Sequence, residues 1–192
     1  MDSSLSGSLH LYIGPMYSGK TSKLISNYDE LDSFGIEQIV IDYDEKLNIG
    51  YRLDNLYNHD NKTVHCYKTT DIYNIYDIPN FTNSKIIHIN EGQFFKDLYK
   101  TIIQLVEEYD KTIYIYSLDG DFNRDKFGDI LDLIKICDTV IKLNGKCNMC
   151  NKPSLFSHRL NHSNRQIEFN DDKEPSYIPL CRKCYLKKNI TK

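Results

Sequence analysis

A stretch near the start of the chain, Gly14-Pro15-Met16-Tyr17-Ser18-Gly19-Lys20-Thr21, carries the spacing G-x-x-x-x-G-K-[ST]. Glycines at that spacing let the backbone bend until successive N–H groups converge on phosphate oxygens, the lysine adds a positive charge, and the threonine hydroxyl is a ligand for Mg2+. The chemistry is that of holding the tail of a nucleoside triphosphate. A chance glycine-rich turn is the plain alternative, and the flanks argue against it. Residues 9–13 read as a strand, and Leu24, Tyr28, Leu31 and Phe34 recur at helical spacing before Gly35, a natural helix stop.

Two further groups of residues carry chemistry. Cys147-Asn148-Met149-Cys150 and Cys181-Arg182-Lys183-Cys184 are C-x-x-C knuckles, and four such thiolates suit a closed, tetrahedral, structural Zn2+ site. A redox dithiol needs only one such pair. The span between the knuckles, residues 151–180, exceeds the generic ribbon spacing of about 15–20 residues, so a sizeable loop must hang from the metal. Glu91 follows an apolar run and precedes Gly92, which suits a general base at the mouth of a phosphate site; a solvated loop glutamate is the alternative. Asp119-Gly120-Asp121-Phe122-Asn123 begins like a calcium loop, but Arg124 and Ile130 stand where that loop needs Gly and Glu. Cys66 and Cys137 read as buried free thiols.

The elements that must position these groups follow from the apolar runs. Residues 38–42, 85–89, 112–116 and 139–143 read as buried strands and 63–67 as a weaker one. Residues 44–62 read as a long loop able to close over a ligand. Leu98, Ile102, Leu105 and Tyr109 mark one helix face, and Ile130, Leu131 and Ile134 a shorter one. Strands alternating with helices imply an α/β fold: a P-loop, mostly parallel sheet with helices on both faces and ligands beyond the carboxyl ends of its strands. Prolines, asparagines and cysteines dominate after Gly145, so the division expected is an α/β domain over residues 1–143 and a small zinc-binding domain over 144–192.

A chain of 192 residues with net charge −3 lacks the basic footprint of a nucleic-acid binder, which leaves a P-loop NTPase with a nucleic-acid-gripping zinc ribbon as a weak alternative. No apolar run reaches membrane-spanning length, and the first residues are small and polar, so a cytoplasmic location without membrane contact is expected. Six cysteines in a reducing compartment favour metal or free thiols over disulfides.

Taken together, GPMYSGKT at 14–21, EGQFF at 91–95, SLDGDF with KFG close behind at 117–128, and the knuckles CNMC and YIPLCRKCY resemble the zinc-containing, tetrameric thymidine kinase family of animals, bacteria and large DNA viruses. The resemblance spans residues 9–188. It implies transfer of the γ-phosphate of ATP to the 5′-hydroxyl of thymidine, and of deoxyuridine, with Mg2+ and a structural Zn2+, in a homotetramer or dimer. Glu91 matches the catalytic base. The loop from Gly14 to Thr21, with Arg52, Asn90 and Gln93, matches the nucleotide contacts. Phe94, Leu118, Phe122 and Phe127 match the base pocket. Ile167, Phe169 and Tyr177 fall on the inter-knuckle loop that in this family covers the nucleoside and grips the base through its main chain.

The chain departs from the family pattern in three places. Asn90 stands where an aspartate usually helps to hold magnesium through water, Gly50 stands where an aspartate or asparagine is common, and residues 169–173 lack the usual glycines. The departures at 90 and 50 imply weaker magnesium binding and leave a regulatory relative without turnover as the second reading.

Overall fold

The computed structural model describes residues 7–161, 163, 165–167 and 176–189. The chain passes from β1 (Ser8–Ile13) through helix α1 (Lys20–Asp32) to β2 (Gln38–Tyr43), then through a hairpin of β3 (Tyr51–Tyr57) and β4 (Thr63–Thr69) to β5 (Ile86–Asn90). Helix α2 (Leu98–Ile103), continued by a turn of π-helix at Gln104–Glu108, leads to β6 (Thr112–Ser117), and the single-turn α3 (Ile130–Leu133) leads to β7 (Thr139–Lys142). Beyond these lie β8 (Phe156–Arg159), β9 (Tyr177–Leu180) and helix α4 (Arg182–Asn189).

The first seven strands form one sheet in the order β3-β4-β2-β5-β6-β1-β7, parallel at every junction except β3 with β4. Strands β8 and β9 pair antiparallel in a separate small sheet. Alternate residues of the central strands face opposite ways, so the period of two divides the core between the two faces of the sheet. Leu9, Leu11 and Ile13 of β1 pack with Ile87, Ile89, Ile113 and Ile115 beneath α2, α3 and the 3-10 turn Ile72–Asp77. Tyr12, Val40 and Tyr116 face the other way, against Leu24 and Ile25 of α1. A sheet covered on both faces is the α/β architecture expected.

Five expectations are corrected. Residues 44–62 are not simply a loop: Tyr51–Tyr57 forms β3, which pairs with β4 from Tyr51↔Thr69 to Tyr57↔Thr63. Helix α1 stops before Phe34, which is 74% exposed instead of continuing the apolar face. In α3, Ile130 and Leu133 are buried, whereas Leu131 and Ile134 face outward. Strand β7 is an edge with all of its residues exposed, because it pairs with β1 on one side alone among the described residues. Cys66 is fully buried, as expected; Cys137 is only half-buried and donates its thiol to the Ile134 carbonyl at 3.3 Å.

Candidate active site

The sheet order sets β5, β6 and β1 side by side, so the segments leaving their carboxyl ends converge. The phosphate loop leaves β1 and is tied to its neighbour, since the Gly14 N–H donates to the Ser117 carbonyl at 3.2 Å. A side chain at Gly14 would bring its Cβ to 2.3 Å from the Leu143 carbonyl, which no Cβ tolerates. Gly19 has φ +83° where the loop turns into α1, and Tyr17 takes φ 59°. For a non-glycine residue that conformation is sparsely populated and gathers at functional sites.

Lys20 is buried and its amine donates to the carbonyls of Gly14 at 3.3 Å and Pro15 at 2.9 Å. Burial pulls its pKa down, and the charges of Glu91 and Asp119 oppose that pull. Three groups from three strand ends therefore meet electrostatically. Glu91 also holds φ 52°, in the turn that follows β5. Its Oε2 accepts a hydrogen bond from Gln93 Nε2 at 2.5 Å. Gln93 is itself buried, with its Oε1 accepting from Ser117 Oγ at 2.7 Å and from the Leu118 N–H at 3.1 Å.

A cavity of about 550 Å³ opens over these groups. Met16, Tyr17, Ser18, Gly19, Lys20 and Thr21 line one side; Glu91, Phe94, Leu118, Phe122, Phe127, Ile167 and Tyr177 line the other. Phe94 and Phe127 meet edge to face at 5.4 Å. Gly14 and Pro15 lie buried behind the lining. Three further residues expected at the nucleotide do not line the cavity. Arg52 is exposed and paired with Asp44 at 2.8 Å and Asp54 at 3.2 Å. Gln93 is turned toward Glu91 and β6. Asn90 is buried with its amide donating to Asp42 Oδ1 at 2.8 Å and its own Oδ1 without a hydrogen-bond partner among the described residues. Phe169 lies outside the described residues.

Sequence reasoning missed Tyr57, Asn58 and His59, which bring the β3–β4 turn into the cavity wall, and Gly120, Asp121, Ser157 and Gln166. His59 stacks on Tyr17 at 5.9 Å, and Asn58 Nδ2 donates to Ser22 Oγ at 3.2 Å, fastening the turn to α1. The cluster of Asn and Asp at 58–61, with Asn61 at φ 58°, is the turn signal that marks this hairpin.

The four cysteines of the knuckles have all their sulfurs within 4.8 Å of one another. Cys150 Sγ lies 3.6 Å from Cys181 Sγ and 3.6 Å from Cys184 Sγ. That is far beyond a disulfide bond of about 2.05 Å. It is close to the edge of about 3.8 Å that a tetrahedron of Zn–S bonds of about 2.3 Å requires, so the donor set fits zinc. The knuckles sit on the turn before β8 and at the start of α4. They join the small sheet to the cavity through Met16 N–H, which donates to Ser157 Oγ at 2.9 Å, and Tyr185 OH, which donates to the Phe122 carbonyl at 2.6 Å.

A family model described as thymidine kinase matches residues 7–185. The chain belongs to the thymidine kinase family. It is 38% identical over 179 residues to the thymidine kinase of Sheeppox virus (strain KS-1), covering 93% of this chain and 97% of that one. To the thymidine kinase of Vaccinia virus (strain Western Reserve) it is 32% identical over 180 residues, covering 94% and 97%. To thymidine kinase a of Arabidopsis thaliana it is 30% identical over 188 residues, covering 96% and 77%. The four cysteines, the phosphate loop and Glu91 all fall inside the matched span.

Proposed function

We propose that this thymidine kinase transfers the γ-phosphate of ATP to the 5′-hydroxyl of thymidine, and of deoxyuridine. The observation that supports it most is that Lys20 and Glu91 open onto the same cavity as Phe94, Leu118, Phe127 and Tyr177. A phosphate cradle and an apolar acceptor wall on one cavity bring donor and acceptor within reach, and phosphoryl transfer needs little beyond alignment and charge neutralisation.

The loop N–H groups and the Lys20 amine bind the triphosphate. Mg2+, when bound, neutralises phosphate charge; the Thr21 hydroxyl, which lines the cavity, would hold it, while Asn90 Oδ1, buried and without a hydrogen-bond partner among the described residues, would reach it only through water. Asp42, bonded to the Asn90 amide, returns a carboxylate to the neighbourhood that Asn90 itself lacks. Glu91 accepts the proton of the 5′-hydroxyl through Oε1, while Gln93 occupies Oε2 and fixes the carboxylate against β6. Phe94, Leu118, Phe122 and Phe127 pack the base, and Ile167 and Tyr177 cover it from the inter-knuckle loop. The four cysteines would hold a structural Zn2+, which would keep that loop in register. The reading includes domains over 1–143 and 144–192, a homotetramer or dimer, a cytoplasmic location, and no nucleic-acid or membrane partner. Among the described residues no helix is long and apolar enough to cross a membrane.

Purified protein given Mg-ATP and thymidine should yield thymidine monophosphate, and Glu91→Gln should reduce the rate by about 100-fold or more. Thymidine binding without product from the wild type would favour the relative without turnover, a reading motivated by Asn90; Asn90→Asp should then restore product.

A further inference from the structure

Arg159, at the end of β8, is 2% exposed and does not line the cavity. Among the described residues it has no carboxylate partner. Instead its guanidinium is saturated: Nε donates to Tyr177 OH at 3.0 Å, one terminal nitrogen donates to the carbonyls of Ser163 at 3.0 Å and Arg165, and the other to the Gln166 carbonyl at 3.1 Å and to Tyr177 OH. Those contacts use all five N–H donors that an arginine owns. The guanidinium carbon Cζ lies 3.8 Å from the centre of the Phe122 ring. One buried cation thus touches both Phe122 and Tyr177, which line the cavity, and gathers main-chain carbonyls at 163, 165 and 166 toward itself.

A trans peptide sends its C=O and the following N–H in opposite directions. With the Gln166 carbonyl turned to Arg159, the N–H of Ile167, a cavity-lining residue, points away from Arg159. Gln166 adds a second tie, its Nε2 donating to Asp121 Oδ2 and to the Lys126 carbonyl, each at 3.0 Å.

We propose that Arg159 is a positioning residue for nucleoside recognition: its five-donor fork sets the peptide orientation at 163 and 165–167 and the seats of Phe122 and Tyr177, and through them the acceptor side of the cavity. The proposal rests on the nucleoside-kinase reading above. A lysine cannot replace this arginine, because an ammonium offers three donors from one point and no planar face to lay on Phe122.

The test compares the wild type with Arg159→Lys, Arg159→Met and Arg159→Ala. In all three, KM for thymidine should rise about tenfold or more, since small misplacements of positioning groups carry such penalties, while KM for ATP and zinc content stay near those of the wild type. Methylguanidinium added to Arg159→Ala should lower the thymidine KM again. Without any substrate, trypsin should cut the Arg165–Gln166 bond, whose carbonyl Arg159 holds, at least about tenfold faster in the variants than in the wild type. An unchanged thymidine KM, wild-type behaviour of Arg159→Lys, or loss of thymidine and ATP binding together with zinc would overturn the proposal. If the wild type phosphorylates no nucleoside, the kinase reading fails by itself, and the trypsin comparison decides whether Arg159 orients the segment.

Discussion

Asp42 is the residue whose cost is most exposed by the structure. It closes β2 with Oδ1 accepting from Asn90 and Oδ2 3.9 Å from Lys68 Nζ. Burial raises its pKa from 3.8 to about 6, with Glu91 adding to the rise while the Asn90 hydrogen bond and the Lys68 charge oppose it. A carboxyl raised on folding stabilises the fold fully below its unfolded pKa, and that contribution is lost as pH rises through the folded value, here across the window from 3.8 to about 6. Asp42→Asn keeps the acceptor for Asn90 and removes the charge. At pH 8 it should therefore be more stable than the wild type by on the order of 2–3 kcal/mol, with the gain vanishing near pH 4. Urea unfolding at the two pH values checks this; equal differences at both would refute it. At this scale the phosphate loop was legible because its demands are local, lying in glycine spacing and one lysine. The roles of Gln93 and Asn90 were not, because their partners lie 24 and 48 residues away and meet them only through the sheet order.

Among the elements, the central strands were legible because burial on both faces writes a continuous apolar run. Strand β3 was hidden because an edge strand paired on one side has no such requirement: Arg52 and Leu53 are exposed, and Leu56 alone is buried. The knuckles were legible from spacing as a four-thiol cluster able to hold a metal, but not the way that cluster reaches the chemistry. The structure supplies that link through Ser157 on β8, which accepts from the phosphate-loop N–H of Met16, and Tyr185 on α4, which holds the Phe122 carbonyl. A zinc site whose ligands come from two distant turns stabilises the folded arrangement outright. Cys150→Ser, or exhaustive chelation, should release about one zinc per chain and reduce thymidine turnover more than tenfold, while the far-ultraviolet signature of the seven-stranded sheet persists. Atomic absorption and circular dichroism on the same samples measure both; full turnover in zinc-free protein would separate the metal from the site.

For the whole molecule, the homo-oligomer reading needs a contact surface, and β7, an edge strand among the described residues, offers one. Val140 and Ile141 on the strand are 45% and 42% exposed, and Leu131, Ile134 and Ile136, which precede it in the chain, are 40%, 39% and 37% exposed. An edge strand with bare ladder groups and apolar side chains on both faces is a template for pairing with another chain. A second copy of this chain is the occupant that the homo-oligomer reading assigns to it. Single charges should then dismantle the assembly: Val140→Lys or Ile141→Glu should move the protein from dimer or tetramer to a smaller species at micromolar concentration by light scattering. Both side chains are exposed within the protomer, so neither change strains its core. The effect should also reach catalysis. Leu143, the residue after β7, donates to the Ile13 carbonyl at 2.7 Å at the root of the phosphate loop, and Lys142 pairs with Asp119 at 2.6 Å beside the cavity. Loosening β7 should therefore lower kcat by a few-fold as the assembly falls apart, on the scale of one or two lost hydrogen bonds. An unchanged mass in both variants, or a wild type that is already monomeric, would exclude this edge as the contact.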